Sequence, residues 1–206
     1  MCFSAQASFI ASGVLSSIGL YSIKKARQKD QPLALVPLLF AFQQAAEGII
    51  WLTYNNPAYG TMTRIATYVF CFFAYFVWPV WIPFATVSFE SHSFRRKILS
   101  GLLFLGAVVS GSLMYYIIQH GIILEISCSH IKYDIMTPYY YDYIGGIGYC
   151  IATIAPFFIT SKKHIKFLGV LLLTSVLVSY YAYYTYFTSI WCFFAALLSS
   201  FIVSIL

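Results

Sequence analysis

The sequence predicts an all-α integral membrane protein, a bundle of seven transmembrane helices forming one domain over residues 1–206. Three observations predict it. First, 61% of residues are hydrophobic and 9% charged, with a mean hydropathy of +0.80, whereas about a quarter of residues are charged in soluble domains. Second, apolar runs of about twenty residues, the length that crosses a bilayer core, recur along the whole chain. Third, the basic residues gather in short clusters between alternate runs, which is how membrane topology is encoded.

The first run, about Phe3 to Ile23, is followed by Lys24, Lys25, Arg27 and Lys29. A secretory signal carries its charges before the apolar run and a small-residue cleavage site after it, so this order predicts an uncleaved helix with its N-terminus outside. The second run, Leu33 to Thr53, has Pro37 near its start and ends at the turn-forming Asn55-Asn56-Pro57. The third, about Ile65 to Phe89, contains Trp78-Pro79-Val80-Trp81-Ile82-Pro83, where each proline removes a backbone donor and a kink is expected. The fourth runs from about Ile98 to Ile118, and its Gly101, Gly106, Ser110 and Gly111 leave room for close helix contact. A long loop is expected from Gln119 to Asp142, with Tyr139-Tyr140-Tyr141 suited to the headgroup level. Runs from about Tyr143 to Thr160, Phe167 to Phe187 and Ser189 to Leu206 complete the seven. Only Tyr186-Phe187-Thr188-Ser189 is available to turn the chain between the last two, so six spans with a re-entrant end is the rival count.

The charges test this assignment. Loops one, three and five hold ten basic residues, Lys24, Lys25, Arg27, Lys29, Arg95, Arg96, Lys97, Lys162, Lys163 and Lys166, and the opposite side holds two, Arg64 and Lys132. By the positive-inside rule the odd loops are cytoplasmic, the N-terminus is outside and the C-terminus inside. The net charge of +6 is thereby explained without nucleic acid. Walker-type phosphate loops, dinucleotide glycine fingerprints and HExxH zinc helices are absent from the sequence, which removes those enzyme classes.

Within the second run, Gln43, Gln44, Glu47 and Trp51 share one helical face over about two turns. Glu47 is the one acid inside an apolar run, and an ionisable group at membrane depth faces a protein interior or a watery cavity and points to function. The topology brings Cys2 and Ser4, Cys71, and Trp191 and Cys192 to the same outer level. The expectation is an outward-facing polar cup with Glu47 near its floor. The competing structural reading makes Glu47 a hydrogen-bonded acid that glues helices together. Cys2, Cys128, His130 and Cys192 form a soft donor set suited to copper or zinc, without the short regular spacing of a structural zinc site. Where the outer face is oxidising, a disulfide of Cys128 with Cys2 or Cys192 is the alternative use of those thiols.

Three motifs occur together and in order: Met1-Cys2-Phe3-Ser4-Ala5, then Gln43-Gln44-Ala45-Ala46-Glu47-Gly48-Ile49-Ile50-Trp51, then Trp191-Cys192-Phe193-Phe194-Ala195-Ala196. The combination resembles an uncharacterised, largely bacterial family of small multi-pass membrane proteins with an N-terminal MCFSA signature. The resemblance implies architecture and a bacterial cytoplasmic membrane, not an activity, and it places emphasis on Cys2, Ser4, Gln43, Gln44, Glu47, Trp51, Trp191 and Cys192. Three functions fit. The protein binds, senses or passes a small ligand, lipid or ion at the cup; or it is a membrane-embedded, lipid-directed hydrolase or transferase using Glu47 with Cys2 or Cys192; or it is an accessory subunit of another membrane protein.

Overall fold

In the computed structural model, which describes residues 4–127 and 130–206, helices dominate. They are α1 (Ala5–Lys25), α2 (Gln31–Ala34), α3 (Val36–Thr53), α4 (Gly60–Phe72), α5 (Trp78–Phe89), α6 (Ser93–His120), α7 (Tyr139–Ile159), α8 (Lys163–Tyr183), α9 (Phe187–Ser199) and α10 (Ile202–Ile205). By length and composition, Ala5–Lys25, Gln28–Thr53, Pro57–Phe89, Ser93–His120 and Lys163–Ile205 are apolar enough to cross a membrane. Tyr143–Ile159 is a shorter apolar helix. The stretch Lys163–Ile205 is not one rod, because a 3-10 turn at Tyr184–Tyr186 ends α8 and α9 packs back against it.

The segment expected as a loop from Gln119 to Asp142 is a correction. It holds the end of α6, an antiparallel hairpin of β1 (Ile122–Ser127) and β2 (His130–Ile135), and the start of α7. The chain enters it through Gly121, whose φ of 77° is the left-handed conformation that glycine adopts without steric cost. Ile131, Tyr133 and Ile135 alternate with His130, Lys132 and Asp134, and the register sets Ile126 opposite Ile131, Leu124 opposite Tyr133 and Ile122 opposite Ile135. With a side-chain period of two, these six apolar residues share one face, which packs on the helices. On the other face Lys132 Nζ pairs with Asp134 at 2.9 Å and Glu125 at 3.8 Å.

The kink also differs from the expectation. Helix α5 runs on through Pro83, and the irregularity is a π-helical turn at Phe73–Val77, just ahead of Pro79. Side chains from neighbouring helices satisfy carbonyls in that turn: Tyr149 Oη donates to Ala74 O at 2.5 Å and Ser110 Oγ to Phe76 O at 3.2 Å. Pro83 has no N–H to offer the carbonyl one turn back, that of Pro79. Gly106 of α6 lies directly against that carbonyl.

Two buried apolar clusters fill the bundle. One is built on Leu15, Leu33, Val36, Phe40, Trp78, Ile82, Phe157, Leu168 and Ile202. The other holds Ala46, Ile50, Phe70, Cys71, Ile117, Ile131, Tyr133 and Cys192. Helix α3 passes from the first into the second, and its polar residues lie at the crossing.

The end of the bundle carrying the basic loops is clamped by two buried acids. Asp30 accepts from Lys162 Nζ at 2.7 Å and Arg27 Nε at 3.0 Å. The Glu90 carboxylate accepts from the backbone N–H of Ser161 at 2.7 Å, from Ser161 Oγ at 2.8 Å and from the backbone N–H of His92 at 2.9 Å. These bonds tie loops one, three and five together at one end. Burial opposes ionisation of Glu90, but the N–H and hydroxyl donors of His92 and Ser161 outweigh it and hold the carboxyl below the ordinary glutamate value of 4.5. A group whose folded pKa is depressed stabilises the fold above its unfolded pKa and loses that contribution as pH falls through the folded value. Thermal stability in detergent is therefore expected to drop as pH falls from about 5 to about 3. Glu90→Gln should flatten that dependence and cost about 1–2 kcal/mol at neutral pH, measured by thermal unfolding across the pH series.

Candidate functional site

The polar residues of α3 are among the best buried in the protein. Gln43 and Gln44 are 0% exposed and Glu47 is 1% exposed, so the expected open cup is instead an enclosed cluster. Helical spacing puts Gln43 and Glu47 one above the other, with Gln44 on the adjoining flank and Trp51 a turn beyond Glu47.

Two of these side chains, Glu47 and Gln43, bond to groups from distant parts of the chain. Ser189 Oγ, in the first turn of α9, donates to Glu47 Oε1 at 2.6 Å. Trp78 Nε1 donates to Gln43 Oε1 at 2.7 Å, and the Trp78 ring stacks on Phe40 with centroids 3.8 Å apart. The indole fixes the Gln43 amide, because an N–H can only be received by the oxygen. Gln43 also lies against the Cys192 thiol, and Gln44 lies near the Glu47 carboxyl.

The hairpin closes one side of this cluster. Ile131 is 0% exposed, and Tyr133 stacks on Phe70 with centroids 4.4 Å apart, its hydroxyl within electrostatic reach of Glu47. Burial, with the Glu47 charge adding to it, pushes the Tyr133 phenol well above its ordinary value, which keeps it a neutral hydrogen-bonding group. Near the hairpin's tip His130 stacks on Tyr186 and lies tilted against Tyr183, and Ser127 Oγ pairs with Tyr186 Oη at 2.6 Å.

Among the described residues, several buried polar atoms here make no hydrogen bond of full geometry: Gln43 Nε2 and both amide atoms of Gln44, which lie beside the Cys192 thiol and the Glu47 carboxyl, and Trp51 Nε1, Tyr133 Oη and Trp191 Nε1. In folded proteins nine-tenths or more of buried polar groups are hydrogen-bonded, so a set this large along α3, α9 and the hairpin is unusual. Beside the cluster lies an apolar cavity of about 50 Å³ between α3, α5, α7, α8 and α9, whose wall includes Phe40, Trp78, Tyr149, Trp191, Cys192 and Leu172.

The other sequence candidates fall as follows. Ser4 is the N-cap of α1, its Oγ accepting from Ala7 N at 3.3 Å. Cys71 and Cys192 are buried thiols that share one apolar cluster with the hairpin, and among the described residues both are free; the Cys128–Cys192 pairing involves a residue outside the described ones. Cys2 and Cys128 lie outside the described residues, and with them the Cys2–Cys128 pairing and half of the proposed metal set. Among the described residues, no group of three or more His, Cys, Asp or Glu side chains is placed to hold a metal ion. Reasoning from sequence missed Trp78 and Tyr133 as members of the cluster, and it put Ser189 at the same level without pairing it with Glu47. The alternation through residues 130–135 is the signal that would have found Tyr133; nothing local marks Ser189 as the partner of Glu47.

No curated protein and no solved structure matches the chain. A family match covers nearly its whole length. The chain belongs to a family of unknown function, DUF6629, which it matches over residues 1–205.

Proposed function

We propose that this is a multi-pass protein of the bacterial cytoplasmic membrane that binds a small polar ligand or ion in an occluded chamber around Glu47. The observation that carries this reading is the set of buried polar atoms on Gln43, Gln44, Trp51, Tyr133 and Trp191 that lack a hydrogen bond of full geometry among the described residues. A cluster that served only to hold helices together would satisfy its own hydrogen bonds, since each unmade one costs about 1–3 kcal/mol. A bound polar species supplies the missing partners and offsets that cost.

On this reading α8 and α9 are separate spans, for a total of seven. The end with the clamped basic loops is cytoplasmic, and the hairpin stands on the outer face over Glu47. Tyr186, stacked on His130, and Tyr183, tilted against it, fasten the hairpin to the end of α8.

The test is native mass spectrometry and metal analysis of protein purified from its own membrane, beside the Glu47→Gln variant. A stoichiometric small molecule or ion on the wild type that is lost from the variant is the expected result. Wild-type protein that carries nothing, beside a variant that differs only in stability, overturns it.

A further inference from the structure

From the inventory of donors and acceptors, we infer that the chamber's ligand is a small carbonyl compound with a short apolar body. This rests on the reading of the Glu47 cluster as a ligand site, and it names the ligand's class. Trp51 Nε1 and Trp191 Nε1 are donors that cannot accept, and Gln43 Nε2 is fixed as a donor because Trp78 already occupies the amide oxygen. Gln44 adds one amide nitrogen and one oxygen, and the Tyr133 hydroxyl can serve either way. Unpartnered donors therefore outnumber unpartnered acceptors whichever way Gln44 is turned. Gln43 and Gln44 are fully buried, and Trp191 and Tyr133 are each 7% exposed, so bulk solvent does not meet the demand. The occupant that does so presents acceptors, as a carbonyl or carboxylate oxygen does, rather than the donors of an amine.

The apolar cavity sets the rest of the molecule. Of the unpartnered donors Trp191 lines it, beside Cys192 and Trp78, so a head held by Trp191 Nε1 projects its body between Phe40 and Leu172. A cavity of about 150 Å³ takes benzene, and the volume here is about 50 Å³. That accommodates a body of two or three carbon atoms. A long-chain body would have to displace lining side chains such as Leu172 or Ile202.

The experiment uses ligand-observed saturation-transfer NMR on the full chain in detergent, with empty micelles as the control. Three probes of similar size are compared: propionate, methyl propionate and propylammonium. Saturable binding of propionate or the methyl ester, but not of propylammonium, is expected, and the preferred probe of the pair says whether the acceptor carries charge. Trp191→Phe keeps the ring stacked on Phe187 and removes the N–H, and should weaken binding roughly 5- to 10-fold. Ala195→Leu fills the cavity wall and should abolish binding, with circular dichroism checking that each variant folds. Equal or preferential binding of propylammonium overturns the inference, and so does binding that is indifferent to both substitutions. If none of the probes binds while native mass spectrometry finds a Glu47-dependent occupant, the ligand class is wrong and the chamber stands. If neither method finds an occupant, both readings fall.

Discussion

Gly106→Ala is expected to destabilise the protein by about 3 kcal/mol or more, near the upper end of what overpacking costs. The added Cβ would collide with the Pro79 carbonyl oxygen and lie 2.7 Å from its carbonyl carbon. Neither atom can rotate away, because both belong to the backbone of α5. Relief requires α6 to withdraw from α5, and that withdrawal breaks neighbouring contacts. Ser110, one turn along α6, donates to Phe76 O, and Tyr149 of α7 reaches Ala74 O; both bonds satisfy the π-helical turn. Gly101 and Gly111 on the same helix have open space where a Cβ would sit. Gly101→Ala and Gly111→Ala are therefore expected to be neutral or slightly stabilising through helix propensity. Thermal unfolding of the three alanine variants in one detergent checks the contrast. Equal effects at all three positions would show that α6 does not pack on Pro79 as described.

The sequence made the helices and the basic end legible because both depend on local composition. Twenty apolar residues need no distant partner to be recognised, and neither do clusters such as Arg95-Arg96-Lys97 or Lys162-Lys163. What lies between residues 119 and 142 was less legible, since the short run Ile122-Ile123-Leu124 reads equally well as helix or strand. The alternation from His130 to Ile135 is a genuine strand signal, but it is six residues long in a chain otherwise built from helices. The prolines at 79 and 83 announced an irregularity without locating it. Its position at Phe73–Val77 goes with donors on other helices, Tyr149 and Ser110, and no local pattern reports those. The stripe Gln43, Gln44, Glu47 and Trp51 was readable from spacing alone. Its degree of enclosure was not, because the groups that enclose it come from elsewhere: Ser189 stands 142 residues from Glu47 in the chain, and Trp78 stands 35 from Gln43. Ser4 caps α1, its Oγ accepting from the N–H of Ala7, a local role that a serine placed before an apolar run serves.

Glu47→Leu is expected to cost about 2–3 kcal/mol, whereas Glu47→Gln should cost no more than about 1 kcal/mol. Glutamine keeps the shape and an acceptor oxygen where Ser189 Oγ now donates at 2.6 Å. Leucine removes that acceptor and strands the Ser189 hydroxyl, 3% exposed, between α3 and α9. If the penalty comes from the stranded hydroxyl, Ser189→Ala added to Glu47→Leu should recover most of it, since replacing both partners by apolar groups is close to neutral. The double-mutant cycle isolates the pair, with an expected coupling of about 1–3 kcal/mol. Thermal or denaturant unfolding of the four proteins in the cycle measures it, and a coupling near zero would mean that the bond between α3 and α9 contributes nothing to holding the bundle. Comparing the two Glu47 variants separates architecture from binding. Glutamine retains the helix-to-helix tie and gives up the carboxyl group, so a Glu47→Gln protein with wild-type stability and no occupant assigns the carboxyl group to the ligand. A Glu47→Gln protein that is as unstable as Glu47→Leu assigns it to the fold.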